Sequence, residues 1–175
     1  TLAASLRALG TSRVDLWLVH WPPPARKLCD VWREFLALRD EGRVRAVGVS
    51  NYSLDQIDRL IRSTGQPPAV NQIPWSPARY DAALLAAHRE RGIVVEGYSP
   101  LKGSDLASPV LAAIAGEHGV TAAQVVLRWH LEHGIVTIPK SADPGRLAAN
   151  IDLFGFSLTP DEVAQVDGLS RGRRR

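Results

Sequence analysis

One alternation constrains this chain more than any other feature: short β-prone apolar runs take turns with longer amphipathic stretches, five times in succession. Val14-Asp15-Leu16-Trp17-Leu18-Val19 is the first run, ended by His20 and by Pro22, Pro23 and Pro24. The pattern predicts strands at about 14–19, 44–49, 69–73, 93–98 and 135–138. Runs this apolar read as strands covered on both faces, as in a parallel sheet, not as strands with one wet face. The intervening stretches carry helical punctuation. Val31, Phe35, Leu36 and Leu38 form a stripe that stops at Gly42; Ser53-Leu54-Asp55-Gln56 is a capping box opening a helix through Ile57, Leu60 and Ile61 to Gly65. Further helices are expected at 81–91, at 109–117, from the capping box Thr121-Ala122-Ala123-Gln124, from Asp143-Pro144, and from Thr159-Pro160-Asp161-Glu162. Strand and helix in strict alternation make a parallel α/β fold.

Composition narrows the class. The 175 residues are 45% hydrophobic and 22% charged, enough for one domain, 1–175, with a sizeable core. No apolar run reaches the ~18 residues of a membrane span, and the start has no basic segment followed by an apolar one. Cys29 stands alone and reads as a half-buried helix residue, so a cytoplasmic setting is expected. The net charge of +3 owes much to the terminus Arg171-Gly172-Arg173-Arg174-Arg175, which reads as a frayed end and not as a nucleic-acid-binding face. The chain has no methionine, and Leu2, Leu6 and Leu9 form a helical pattern already under way at its start; both features predict a portion of a longer protein.

Polar and aromatic residues stand where each apolar run stops: His20; Ser50 and Asn51; Asn71 and Gln72; Tyr98 and Ser99; Lys140 and Ser141. In an α/β barrel the carboxyl ends of the strands build the active site. No G-x-G-x-x-G or G-x-x-x-x-G-K-[ST] loop is present. The residue types still suit a dinucleotide. Ser, Asn and Gln can hold a flat carboxamide by donor and acceptor together, Tyr98 offers a face for a ring, and Lys140 with Arg146 near a helix N-terminus offers charge for a phosphate. His20 is a proton donor or hydrogen-bond director.

These segments resemble the aldo-keto reductase family over essentially the whole chain. The likeness is carried by Asp15-Leu16-Trp17-Leu18-Val19-His20-Trp21-Pro22; by Gly42 through Tyr52; by Val70-Asn71-Gln72; by Tyr98-Ser99-Pro100-Leu101; and by Ile138-Pro139-Lys140-Ser141 followed by Arg146 and Asn150. It implies a partial (β/α)₈ barrel of about five parallel strands with outer helices, lacking the N-terminal strands. It also implies NADPH-dependent reduction of a small-molecule aldehyde or ketone, in a complete parent expected to be monomeric. His20 would be the family's catalytic histidine, and Trp21 would line the substrate pocket. Ser50, Asn51 and Gln72 would bind the nicotinamide carboxamide, and Tyr98 would stack on the ring. Ser99 and Leu101 would meet the pyrophosphate; Lys140, Ser141 and Arg146 the adenosine 2′-phosphate; and Asn150 the adenine. The loop after Leu101 and Trp75-Ser76-Pro77 look most like the bacterial 2,5-diketo-D-gluconate reductase branch.

The resemblance also implies an absence. The family's catalytic tyrosine, lysine and aspartate belong to strands preceding the run at Val14, and Tyr52, Tyr80 and Tyr98 match other positions. The chain by itself is therefore expected to be inactive, with a non-catalytic nucleotide-binding module or an inactive fragment as the competing readings. Ala149 stands where many members carry a glutamate beside the adenine. Asp143 reads either as a helix cap or as a charge opposing the 2′-phosphate. No metal is expected: His130 and His133 read as a pair on a helix surface. Trp17, Trp32 and Trp129 read as packing residues.

Overall fold

The computed structural model describes residues 1–170, so the basic terminus from Arg171 lies outside the described residues. The chain forms two compact units: Thr1–Gln72 with Leu85–Val94, and Ile73–Leu84 with the residues from Val95 onward. All five expected strands are present: β1 (Val14–Val19), β2 (Val44–Ser50), β3 (Val70–Pro74), β4 (Val94–Tyr98) and β5 (Val136–Ile138). They follow the order β1-β2-β3-β4-β5, which leaves β1 and β5 as edges. The helices are α1 (Leu2–Leu9), α2 (Leu28–Asp40), α3 (Leu54–Thr64), α4 (Ala82–Glu90), α5 (Pro109–His118), α6 (Ala122–Glu132), α7 (Pro144–Ile151) and α8 (Pro160–Gly168). Among the described residues no single helix is long and apolar enough to cross a membrane.

In the first unit β1 and β2 run parallel with Val14 opposite Val44 and Val19 opposite Val49, and β2 meets β3 at Val49/Asn71 and Ser50/Gln72. Gly48 makes this packing possible: a Cβ there would lie 2.7 Å from Leu18 Cδ2 and 2.7 Å from the Val70 carbonyl oxygen. Helices α2 and α3 cover the sheet with Trp32, Leu36, Ile57 and Leu60, all buried. Each such side chain contributes on the order of 1.5–3 kcal/mol by leaving water. The predicted capping box is formed, with Ser53 accepting from the Gln56 backbone and Gln56 accepting from the Ser53 backbone. α3 is tied to the turn after α4 by a two-pronged ion pair, Arg91 Nε and Nη2 to the two Asp58 oxygens at 2.7 and 2.9 Å. The guanidinium's hydrogen bonds hold the Asp58 carboxyl below its ordinary range.

In the second unit β4 pairs with β5, Glu96 opposite Val136 and Tyr98 opposite Ile138. Leu111, Val125, Val126, Leu127 and Trp129 form its core. Capping boxes open α6 at Thr121 and α8 at Thr159. Polar ties then fix α8. Trp129 Nε1 donates to Asp167 Oδ1 at 2.7 Å, His133 Nε2 lies 2.8 Å from the same oxygen, and His118 Nε2 lies 2.7 Å from Glu162 Oε1.

Two sequence expectations are corrected here. β1 is less buried than the run suggests: Asp15 is exposed, Leu16, Trp17 and Leu18 are part-buried, and only Val19 is buried. His130 and His133 are not a surface pair. His130 is fully buried, its Nδ1 2.7 Å from the Val126 carbonyl, and a Cβ on Gly97 would come within 3.3 Å of its ring, so the missing side chain makes the room. Burial pushes the His130 pKa below its ordinary value, which keeps the ring neutral. His133 stacks on Tyr80 with centroids 4.9 Å apart. Trp32 and Trp129 are buried packing residues, Trp17 is part-buried against the same core as Trp32, and Cys29 is part-buried on α2.

Candidate functional site

The first unit holds five of the expected residues, His20, Trp21, Ser50, Asn51 and Gln72. Asn51 follows β2 with a left-handed backbone, φ 63, a strained conformation for a residue with a Cβ. Its neighbours fix it there. The Asn51 backbone N–H donates to the Gln72 carbonyl at 2.9 Å. Its side-chain Nδ2 donates to the His20 carbonyl at 3.2 Å and to Ser50 Oγ at 3.0 Å. Ser50, buried, passes its own hydroxyl hydrogen to the Gln72 carbonyl at 2.8 Å. The turn thus knots the ends of β1, β2 and β3. His20 is exposed beside Trp21, their ring centroids 6.2 Å apart, and Trp21 is 62% exposed, so both can meet a ligand.

The second unit carries the other expected residues, at the end of β4 and from the end of β5 into α7. At the end of β4, Ser99 also has a left-handed backbone, φ 54, and its carbonyl accepts from the Lys102 N–H at 3.0 Å. A cavity of 200 Å³ here is lined by Pro74, Arg79, Tyr98, Ser99 and Lys102, which puts two cations beside the residues expected to meet the ring and the pyrophosphate. Leu101, part-buried, lies in the same turn. After β5, Lys140 is exposed and Ser141 Oγ accepts the Asp143 N–H at 3.1 Å. Arg146 sits in the first turn of α7, its side chain 78% exposed. Asn150 lies one turn further along α7 from Arg146. It lines an apolar cleft of 480 Å³ with Leu147, Ile151 and Phe154 among others.

Two residues at the site carried no assigned role in the sequence. Asn71 and His88 are both almost completely buried, and their side chains meet at 3.0 Å next to the Asn51 turn. Asn71 was visible as one of the two polar residues that end the third apolar run. For His88 the available signal was its i, i+3 spacing from Leu85 on α4, which puts it on the buried face.

The model of the aldo/keto reductase family matches residues 1–171. The chain belongs to that family. It is 46% identical over 176 residues to 2,5-diketo-D-gluconic acid reductase B of a Corynebacterium species, covering 99% of this chain and 64% of that one. Among solved structures it is similar to an aldo/keto reductase from Brucella melitensis, at 40% identity and a TM-score of 0.91, covering 95% of this chain and 64% of that one. It is also similar to a Bombyx mori aldo-keto reductase in complex with NADP, at 33% identity and a TM-score of 0.87, covering 99% of this chain and 62% of that one. These likenesses show the fold class expected from the alternation, five parallel strands with their helices as part of a (β/α)₈ barrel. The chain spans less than two thirds of the length of these relatives.

Proposed function

We propose that this chain supplies the NADPH-holding residues and the carbonyl-orienting histidine of a carbonyl reductase, as one domain comprising both units. The observation that carries the reading is the Ser50–Asn51–Gln72 knot. It fixes Ser50, Asn51 and the Gln72 main chain in one strained turn, and side chains of these types suit a flat carboxamide. The other groups fit the rest of a phosphorylated dinucleotide. Tyr98 offers a ring face, the left-handed turn at Ser99 and Leu101 offers backbone groups to a pyrophosphate, and Lys140, Ser141 and Arg146 offer charge and a hydroxyl to a 2′-phosphate. Asn150 serves the adenine, whose flat apolar faces suit the cleft beside it.

When bound, NADPH supplies a hydride. The chain's own residues bind, orient and exclude. Asn51 Nδ2 holds the His20 carbonyl, fixing the main chain from which the imidazole projects. The His20 ring, exposed, donates a hydrogen bond to the substrate carbonyl and sets its angle. Trp21, exposed beside His20, lines the substrate pocket. The substrate is a small aldehyde or ketone; the likeness to a diketo-sugar-acid reductase favours a polar one.

Titrating NADPH and adenosine 2′,5′-bisphosphate into the isotope-labelled chain tests the assignment by NMR even if binding is weak. The backbone signals of Asn51 and Gln72 should move with NADPH and not with the bisphosphate, which has no nicotinamide. Signals from Lys140 to Arg146 should move with both. NADPH leaving Asn51 and Gln72 unmoved while shifting other residues would overturn the reading.

A further inference from the structure

The side chain of Asn71 is completely buried on β3, and its amide nitrogen has two hydrogens to place. One goes to the Tyr52 carbonyl at 3.0 Å. The other points at His88 Nε2, also at 3.0 Å. Rotating the amide by half a turn would set its oxygen against the Tyr52 carbonyl, acceptor against acceptor. The Tyr52 carbonyl therefore fixes the amide, and the amide fixes the histidine: Nε2 must carry the lone pair, with the ring hydrogen on Nδ1. His88 is 1% exposed, so water cannot stand in for either partner.

The position of this pair gives it a use. Tyr52 is the residue immediately after Asn51, and Asn71 immediately precedes Gln72. Asn71 opposes Val49 in the sheet register and Gln72 opposes Ser50. One buried amide thus grips the chain just beyond the strained turn and also lies within the strand that receives it. A left-handed asparagine persists only where its surroundings over-determine it. We infer that His88 and Asn71 are positioning residues, which hold the Ser50–Asn51–Gln72 knot in the shape that accepts the cofactor carboxamide. The inference rests on the reading of that knot as the carboxamide site.

His88→Leu removes the acceptor and keeps bulk and burial; His88→Gln restores an acceptor oxygen. Amide hydrogen exchange at Asn51, whose N–H is held by the Gln72 carbonyl, reads the turn directly. In His88→Leu this exchange should accelerate about tenfold or more, because a buried N–H is left unpaired. Ile57 and Leu60 in α3 should keep their protection, and His88→Gln should recover most of the loss at Asn51. Unchanged exchange at Asn51, loss spread equally through α3, or no recovery with Gln would each overturn the inference. The wild-type chain gives a test that needs no variant. Imidazole nitrogen shifts should report His88 Nε2 as unprotonated, and a hydrogen found on Nε2 would overturn the assignment. Gln72→Ala, titrated with NADPH, tests the site reading separately. If that variant binds as the wild type does, the carboxamide site is misplaced, whatever the exchange at Asn51 shows.

Discussion

Asp143 Oδ1 accepts the backbone N–H of Arg146 at 2.8 Å, while the Arg146 guanidinium, 4.0 Å from the same oxygen, stays largely in solvent. The sequence left open whether this aspartate caps α7 or opposes a phosphate; the hydrogen bond shows a cap. Its charge is met at close range by the helix N-terminus, which leaves the arginine side chain available for a ligand. An ion pair this exposed contributes little, about 0–1 kcal/mol. In a reductase containing this segment, Arg146→Ala should weaken NADPH by roughly one to two decades, since a charge-assisted hydrogen bond contributes about 1.5–3 kcal/mol. NADH, which lacks the 2′-phosphate, should be nearly unaffected. Parallel titrations decide it: equal loss for both cofactors would mean that Arg146 does not read the 2′-phosphate.

Two glycines should respond to alanine with opposite signs. At Gly48 a Cβ would meet the Val70 carbonyl oxygen at 2.7 Å, and backbone in a sheet cannot step aside as a side chain can. Gly48→Ala should destabilise the chain by about 1–3 kcal/mol, with overpacking as the cause. Gly116 lies inside α5 with nothing within 4 Å of the added atom. Gly116→Ala should stabilise by about 0.5–1 kcal/mol, the ordinary helical advantage of alanine. Thermal unfolding of both variants checks the pair; a stable Gly48→Ala would mean that β2 and β3 do not pack as described.

Much of this was legible in the sequence because its signals are local. The alternation of β-prone runs with capped helices located all five strands, and Ser53-Leu54-Asp55-Gln56 and Thr121-Ala122-Ala123-Gln124 formed the capping boxes that their spacing requires. The residues at the strand ends, His20, Ser50, Asn51 and Gln72, were legible for the same reason. What escaped depends on contacts between residues far apart in the chain. His130 reads as a polar residue on a helix until Gly97, on another element, is seen to leave room for its ring. His88 gains a role only through Asn71, and the strain at Asn51 is invisible without a backbone angle.

Acid should loosen the second unit through Glu162. This buried carboxylate caps α8 through the Thr159 N–H and hydroxyl, at 2.7 and 2.8 Å, and pairs with His118. Burial pushes its pKa up, but the hydrogen bonds from Thr159 and His118 together outweigh burial and leave it below its ordinary value. A carboxyl with a depressed pKa in the folded state contributes stability above its unfolded pKa, and that stability is lost as pH falls through the folded value. Glu162→Ala should cost about 0.5–2 kcal/mol at neutral pH through the lost cap. The difference from wild type should shrink progressively once the pH falls below the ordinary glutamate range. Denaturant melts across acidic pH test this; a gap that stays constant into strong acid would show that the charge of Glu162 contributes nothing.

The central claim is that these residues hold and orient NADPH and the substrate but do not supply the proton. Reduction of a carbonyl needs a proton for the developing alkoxide, and general acid catalysis accounts for typically 10²–10⁴-fold in rate. The chain has three tyrosines. Tyr52 is buried, and burial pushes its hydroxyl up to about 12. Tyr80 is stacked on His133 and set edge-on to Trp129. Tyr98 is the proposed face for the nicotinamide. In the proposed role His20 would set the carbonyl angle and leave the proton to another group. The deciding measurement is the loss of NADPH absorbance when residues 1–175 are mixed with NADPH and a reactive aldehyde. The account predicts no loss above the rate without protein; turnover near that of a complete aldo/keto reductase would contradict it and would require a proton donor within these residues.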